Sequence, residues 1–307
     1  MATTVTAPVS NSIGLASRYL PILDEIYKAG SKTSIFDTAD DRVRFINANT
    51  VYLYEAAPVG LGDYARNSGY VPGDVTGSWR AYTLEKDRGR SFMVDAMDDE
   101  ESIGMAFGTL LGEFERTKVI PEIDAYRFAK YAKAASNSMK VAASLANAAN
   151  TVAAIDTAIE ALDNAEVPYE GRVLFVNPTI YKYLKSGITR YTMNKDDQID
   201  YNIEMYNDMR VITVPSGRFN TVCTLAQPTD HDGAGGYTAA GSTINFMIVH
   251  PSAVMQVVKH NVPRVFSPAE NQEADAWKLN YRIYHDCWVK HNKDTGIYVH
   301  APSVVSA

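Results

Sequence analysis

Residues 79–102 read WRAYTLEKDRGRSFMVDAMDDEES, and the fold turns on how this stretch is read. It has the look of one long strand running directly into a helix start. Lys86, Arg88 and Arg90 precede the apolar Phe92, Met93 and Val94, and an acidic run, Asp98 to Glu101, follows. Spaced two apart, the three basic side chains point the same way on a strand. One reading is a charged stripe that docks on acidic residues of a neighbouring copy. The plainer one is a solvated strand face. A strand this long and isolated needs another subunit to hold it. The residues expected at that inter-subunit contact are Lys86, Arg88, Arg90, Phe92, Asp98, Glu100 and Glu101. Acidic partners for the stripe are available in Asp98 to Glu101 of another copy, and in Glu270, Glu273 and Asp275.

Upstream, residues 42–56 (RVRFINANTVYLYEA) carry the β-branched and aromatic residues of a second strand. Between the two strands lie Pro58, Gly60, Gly62, Gly69, Pro72, Gly73 and Gly77, a density of breakers that marks a loop or twisted tip. Two strands joined by such a tip make a hairpin, and about fourteen strand residues at ~3.3 Å each reach roughly 45 Å. An isolated two-stranded hairpin is marginal in water, so the arm must lie on something else. Residues 1–41 read as an extended arm with one short amphipathic helix near 18–29, ended by Gly30.

Downstream, Asp98 with Glu101 resembles a capping box at a helix start. Ile103, Phe107, Leu110, Leu111 and Phe114 form one apolar face. Gly104, Gly108 and Gly112 line another, which suggests close approach of a second backbone; drift on a partly exposed helix is the alternative. Pro121 is expected to open a second helix, PEIDAYRFAKYAKAA. Residues 132–150 read as a loop between subdomains. Val152, Ile155, Ile159 and Leu162 then give a helical stripe, 172–177 a strand, and TIYKYLKS a short helix closed by Gly187. Further strands are expected at 210–214 and 243–250, with 229–242 a surface loop. Residues 254–266 read as a strand interrupted at Pro263, hence at an edge or bend. Residues 276–290 alternate. Trp277, Leu279, Tyr281, Ile283, Cys287 and Val289 share one face; Lys278, Asn280, Arg282, Asp286 and Lys290 share the other, solvated one. NKDTG at 292–296 makes a turn from which IYVH pairs back.

With 307 residues, 46% of them hydrophobic, the chain can bury a substantial core in one large domain or two smaller ones. A net charge of −7 argues against general nucleic-acid binding, though not against enclosing DNA without gripping it. Two cysteines far apart, Cys223 and Cys287, do not suggest a disulfide framework. The N-terminal MATTVTAPVSNS lacks a signal-peptide pattern, and no apolar run approaches the ~20 residues of a membrane span. A cytoplasmic protein without a membrane anchor is expected.

No catalytic motif emerges. HDGAGG has glycines without the strand–turn–helix setting or the lysine of a phosphate loop. Asp230, His231 and Asp232 lack a partner cluster for a metal. His285 and Cys287 share a strand face as ligands could, but a packed cysteine is the usual outcome there. The expectation is no enzyme, no cofactor and no metal.

The order of parts resembles the major capsid proteins of tailed bacteriophages, the Hong Kong 97 phage type of capsid fold. Lys86-Asp87-Arg88-Gly89-Arg90-Ser91-Phe92, with Val94-Asp95, Met97-Asp98 and Glu100, is similar to the return strand of that family's extended loop entering its long spine helix. Arg172 to Pro178 with Tyr181 and Leu184 is similar to its axial-domain strand and helix. Val211 to Phe219, His250-Pro251-Ser252-Ala253 and the strand around Asp286 to Val289 continue in family order. The resemblance covers roughly residues 33–300.

It implies an α+β fold with an N-terminal arm, an extended β-hairpin loop, a peripheral domain with a long spine helix, and an axial domain with a central mixed sheet. On this chain the arm is 1–41, the extended loop 42–97, the peripheral domain 98–140 and 256–301, the axial domain 141–255 and the C-terminal tail 302–307. It implies self-assembly through hexamers and pentamers into an icosahedral shell around double-stranded DNA, packaged without sequence-specific contacts. A portal protein comes with the family. The short segment before the loop suggests a separate scaffolding protein, and no cross-linking motif is matched at Lys86. Assembly in the host cytoplasm and a final place in the virion follow. An acidic shell lining would repel DNA phosphates and let the DNA slide during filling. The affinity between copies must then come from area, and an arm of this size could bury well over ~2,000 Å² per subunit. The alternatives are an encapsulin-like nanocompartment shell protein and, from another class, an α+β enzyme with an unrecognised site.

Overall fold

The computed structural model describes residues 30–37, 44–45, 50–64, 66–67, 70–96, 112–187, 192–193, 199–200, 203–228, 235–261 and 263–303. The expected helix near 18–29, the helix start at Asp98, Gly104, Gly108 and the Asp230–Asp232 trio lie outside these residues.

Strands β1 (Arg44–Phe45), β2 (Thr50–Pro58) and β3 (Val75–Thr83) form an antiparallel sheet. β2 and β3 pair from Thr50 opposite Thr83 to Pro58 opposite Val75, which is the expected hairpin. β4 (Lys86–Asp95) leaves that sheet and pairs instead with residues 276–285. The single long strand read from 79–95 is therefore two strands in two sheets, broken at Leu84–Glu85. Tyr82 and Leu84 are buried and Lys86, Arg88 and Arg90 half-buried, while every residue between them is exposed. The alternation runs unbroken through the junction, so the local pattern holds no trace of the change of partner.

Residues 112–134 are helical without interruption. α1 (Ile120–Ala134) continues from 112–114 through a π-turn at Glu115–Val119, where the Ile120 N–H reaches back to the Glu115 carbonyl. Pro121 thus lies inside a helix instead of opening one. Its missing N–H and its ring would disrupt a tight α-turn, and the wider π-turn just before it relieves the crowding. β5 (Lys140–Ala142) follows. Next comes α2 (Ala148–Asn164), whose first turn is capped by the Asn147 side chain accepting from the Asn150 N–H at 2.8 Å.

The rest of the chain supplies β6 (Val173–Val176), α3 (Pro178–Gly187), the paired β7 (Thr192–Met193) and β8 (Ile199–Asp200), β9 (Met205–Tyr206) and β10 (Met209–Thr213). β11 (Asn220–Leu225), β12 (Tyr237–Thr243), β13 (Phe246–Val249) and β14 (Val254–Asn261) come next, then β15 (Arg264–Phe266), β16 (Ala276–Val289) and β17 (Ile297–Ala301). A mixed six-stranded sheet runs β5-β17-β13-β6-β10-β9. In β6, Val173 and Phe175 face a core shared with α1, while Leu174 and Val176 face α2 and α3. Burial on both sides explains its unbroken apolar run. Each such side chain contributes roughly 1.5–3 kcal/mol of burial.

In the second sheet β16 pairs with β4 along one edge and with β14 and β15 along the other. The break between β14 and β15 falls at Pro263, as read. Two further expectations fail. IYVH does not pair back on β16: β17 pairs with β13 and β5, because all five of its residues are buried and need a central position. The loop read at 229–242 ends in a strand, with Tyr237–Thr243 pairing along β11.

Candidate assembly interface

Among the described residues, the hairpin leaves large apolar side chains exposed. Tyr54, Leu61, Tyr64, Tyr70, Val71 and Trp79 are exposed, Leu61 completely. Tyr54 and Trp79, directly opposed across β2 and β3, hold their rings 5.1 Å apart, and Tyr64 and Tyr70 theirs 5.0 Å apart. Such pairs stiffen a ribbon. An apolar patch of this kind on a marginal two-stranded element marks a contact surface.

The hairpin root is the opposite: buried and polar. Val51, Tyr82 and Leu84 pack on Met255 and Val257 of β14, with Tyr284 and Trp288 alongside. The Glu85 N–H donates to Asp286 Oδ2 at 3.1 Å, and the Tyr284 hydroxyl donates to the Leu84 carbonyl at 3.0 Å. Asp286 Oδ1 also accepts from the Tyr126 hydroxyl at 2.9 Å, from the Cys287 N–H at 2.8 Å and from the Lys130 ammonium. Burial, with the Asp286 charge beside it, pushes the Tyr126 phenol far up, so it stays a protonated donor. Alternation had placed Asp286 on the solvated face of 276–290, yet it is fully buried. The signal available was an aspartate, a poor strand former, in the middle of a long aromatic strand.

The basic stripe turns inward. Arg88 forks onto Glu122 of α1, with Nε to Oε1 at 2.7 Å and Nη2 to Oε2 at 3.2 Å. It also donates to the Ala226 carbonyl at 2.6 Å and the Gly236 carbonyl at 3.3 Å. The carboxylate that receives Arg88 in this chain is thus Glu122, and not Glu270, Glu273 or Asp275. The strand pairing with β16 lays this face of β4 over α1. Lys86 Nζ lies 5.7 Å from the centre of the Tyr126 ring and 3.9 Å from Glu85. Arg90 is half-buried and runs toward Gly235. Phe92 packs within the chain, edge-on to Phe114 at 4.7 Å and against Leu279. Asp98, Glu100 and Glu101 lie outside the described residues. Glu270, Glu273 and Asp275 are exposed on the turn before β16. There Glu273 pairs with Lys278 at 2.7 Å, Glu270 accepts from the Ser267 N–H, and the Asp275 carbonyl accepts from the Ala96 N–H.

A second clasp holds the segment at 31–37. Asp124, fully buried, accepts from the Ser31 and Thr33 hydroxyls at 2.8 Å each, and from the Lys32 and Thr33 N–H groups at 2.9 and 3.3 Å. Arg127 donates to the Thr33 hydroxyl at 2.9 Å and pairs with Asp37 at 3.0 Å. Phe36 then seats edge-on against Phe175. Sequence reasoning passed over Asp124 and Arg127, whose helix was read only from Pro121 at its expected start.

His285 and Cys287 sit side by side in the interior of β16. Burial, reinforced by Arg127, pulls the His285 imidazole down to about 3, and burial pushes the Cys287 thiol up to about 12. Both are neutral packing groups. Among the described residues no cluster of His, Cys, Asp or Glu is arranged to hold a metal, and no helix is long and apolar enough to cross a membrane.

No family model and no curated protein matches the sequence. Solved structures do match. One from Gordonia phage Cozz is 12% identical, covering 90% of this chain and 88% of its own, at TM-score 0.59. The asymmetric unit of the bacteriophage PhiM1 mature capsid is 16% identical, covering 83% of this chain and 82% of its own, at TM-score 0.54. The virus-like particle from Pyrococcus furiosus is 13% identical, covering 95% of this chain and 100% of its own, at TM-score 0.50. At such identities the likeness is one of fold.

Proposed function

We propose that this chain, which has the fold of the tailed-phage major capsid proteins, is a structural shell protein that assembles with copies of itself. The observation that carries this reading is the hairpin, whose Tyr54, Leu61, Tyr64, Tyr70, Val71 and Trp79 are exposed and whose root is fastened by partly buried polar bonds. A monomer gains nothing from such an arm, whereas a neighbour that covers it recovers about 25 cal/mol for each Å² of apolar surface removed from water.

The finer statement is part of the same proposal. Hexamers and pentamers close into an icosahedral shell around double-stranded DNA, with a separate scaffolding protein and a portal as partners. Assembly takes place in the host cytoplasm and the product is the virion. The net charge of −7 suits a container that does not grip what it encloses. The second reading, a nanocompartment shell, is favoured by one observation, the likeness to the Pyrococcus furiosus virus-like particle over that chain's whole length.

The test is to express the chain alone and with a candidate scaffolding protein, then examine the products by sedimentation velocity and negative-stain electron microscopy. Closed shells are expected; small discrete species under every condition would overturn the reading. The contents separate the two versions: DNA or nothing for a virion shell, an enzyme for a compartment.

A further inference from the structure

We infer that Asp286 is the positioning residue that sets the direction in which the β2–β3 hairpin leaves the body. This deepens the assembly reading and rests on the arm being the contact element.

The junction between β3 and β4 cannot use either sheet. The last pair of the hairpin is Thr83 with Thr50, and the first pair of β4 is Lys86 with His285. The backbone of Leu84, a buried residue, and of Glu85, an exposed one, is paired elsewhere. It finds two side chains of β16: Tyr284 for the Leu84 carbonyl and Asp286 for the Glu85 N–H. Asp286 is the wider hub. Its two oxygens collect donors from the junction, from α1 through Tyr126 and Lys130, and from its own strand.

A second layer carries the same restraint outward. The Lys130 ammonium lies 5.4 Å from the centre of the Trp288 ring, and that ring packs against Tyr82 of β3 at 5.7 Å. The ion pair therefore touches the hairpin twice, once at its backbone and once through an aromatic pair. A well-packed apolar group would stabilise such a site as well or better, so the use of a buried ion pair lies in specifying one geometry. Here that geometry is the angle of the arm.

The test compares wild type with Asp286→Asn and with the double variant Asp286→Asn/Lys130→Met. The double variant removes both charges together, so no buried charge is left alone, and it keeps an apolar stem against Trp288. Circular dichroism and sedimentation check that each variant is folded. Hydrogen exchange with fragmentation to single residues then reads the Glu85 amide. That amide is expected to exchange at least about tenfold faster in both variants, because it loses a charge-assisted acceptor. Amides of β6 and α2 should keep their wild-type rates. Under conditions where wild type closes shells, the variants should give open or irregular products and at least a tenfold slower onset. Unchanged exchange at Glu85 overturns the inference, and so do normal shells at the normal rate from a variant with a loosened Glu85. If wild type forms no shells, the assembly reading falls, and Glu85 exchange alone decides the role of Asp286.

Discussion

Arg88→Gln should destabilise the monomer itself by about 2–3 kcal/mol, which changes how the basic stripe can be tested. Arg88 and Glu122 are only 20% and 14% exposed, and they meet through two hydrogen bonds at 2.7 and 3.2 Å. Two unit charges ~4 Å apart at an effective dielectric constant near 20 interact by about 4 kcal/mol. Their residual exposure screens part of that, and rehydration of the freed groups returns part. Against this, the Ala226 and Gly236 carbonyls lose a donor and Glu122 keeps an unmatched charge. Arg88→Glu should be worse, about 4 kcal/mol, because it sets two carboxylates against each other. Exchanging the pair (Arg88→Glu with Glu122→Arg) should recover part of the loss. The assay is urea unfolding of unassembled protein at neutral pH, followed by tryptophan fluorescence. A loss under about 0.5 kcal/mol for Arg88→Gln, the range of an ordinary surface change, would refute the reasoning. So would Arg88→Glu unfolding no more easily than Arg88→Gln. Reversing all three basic residues at once therefore cannot report on docking, since failure to assemble would follow from a damaged fold. Lys86, whose ammonium sits 3.9 Å from the exposed Glu85, is the position for that experiment.

Asp124→Asn should cost about 2–4 kcal/mol by weakening four hydrogen bonds to residues 31–33; limited proteolysis should then cut within 30–37, and unchanged resistance there would count against the clasp. Leu61→Asp with Val71→Asp should leave the monomer's stability within about 0.5 kcal/mol, both side chains being exposed. The concentration needed for assembly should rise at least about tenfold, and shells at wild-type concentration would remove the hairpin tip from the interface. His285, held down to about 3 by burial, is neutral in the folded chain, whereas the unfolded imidazole titrates near 6.5. Its contribution is complete above pH ~6.5 and is lost as pH falls toward 3, at up to about 1.4 kcal/mol per pH unit. His250 and His300, also lowered chiefly by burial, act in the same direction. Urea midpoints of His285→Gln between pH 6.5 and 5 should fall less steeply than those of wild type, and parallel curves would refute the assignment.

Much of the architecture was legible because it rests on local periodicity. The stripe Val152, Ile155, Ile159, Leu162 gave α2, the run at 172–177 gave β6 as a strand, and the alternation in 276–290 gave β16. What was not legible depends on partners distant in sequence. Nothing near Leu84 indicates that its strand ends there, because the bonds that end it come from Tyr284 and Asp286, about two hundred residues away. Arg88 shows the same limit. A period of two says that it shares a face with Lys86 and Arg90, but not that the face lies over α1. Pro121 misled for a different reason: a helix start is the commoner place for a proline, and here a π-turn lets the helix run through it.

α1 ties these separate observations together. Glu122, Tyr126 and Lys130 recur every four residues and form one polar stripe, which meets Arg88 of β4 and Asp286 at the hairpin root. Asp124 and Arg127 lie on another side, since two residues turn an α-helix by about 200°. They hold the segment at 31–37. Phe128 and Tyr131 of the same helix complete the core shared with the six-stranded sheet. The helix is thus buried nearly all round, which is why it shows no single apolar face. Both extensions of the chain, the N-terminal segment and the hairpin, are fastened to one rigid rod by charged groups that leave little freedom of angle. An apolar contact tolerates sliding, whereas a buried carboxylate held by several directed hydrogen bonds does not. In a shell the angle between neighbours has to repeat from copy to copy. Placing both fastenings on the same helix fixes the two extensions relative to each other, so an error at one root cannot be absorbed at the other.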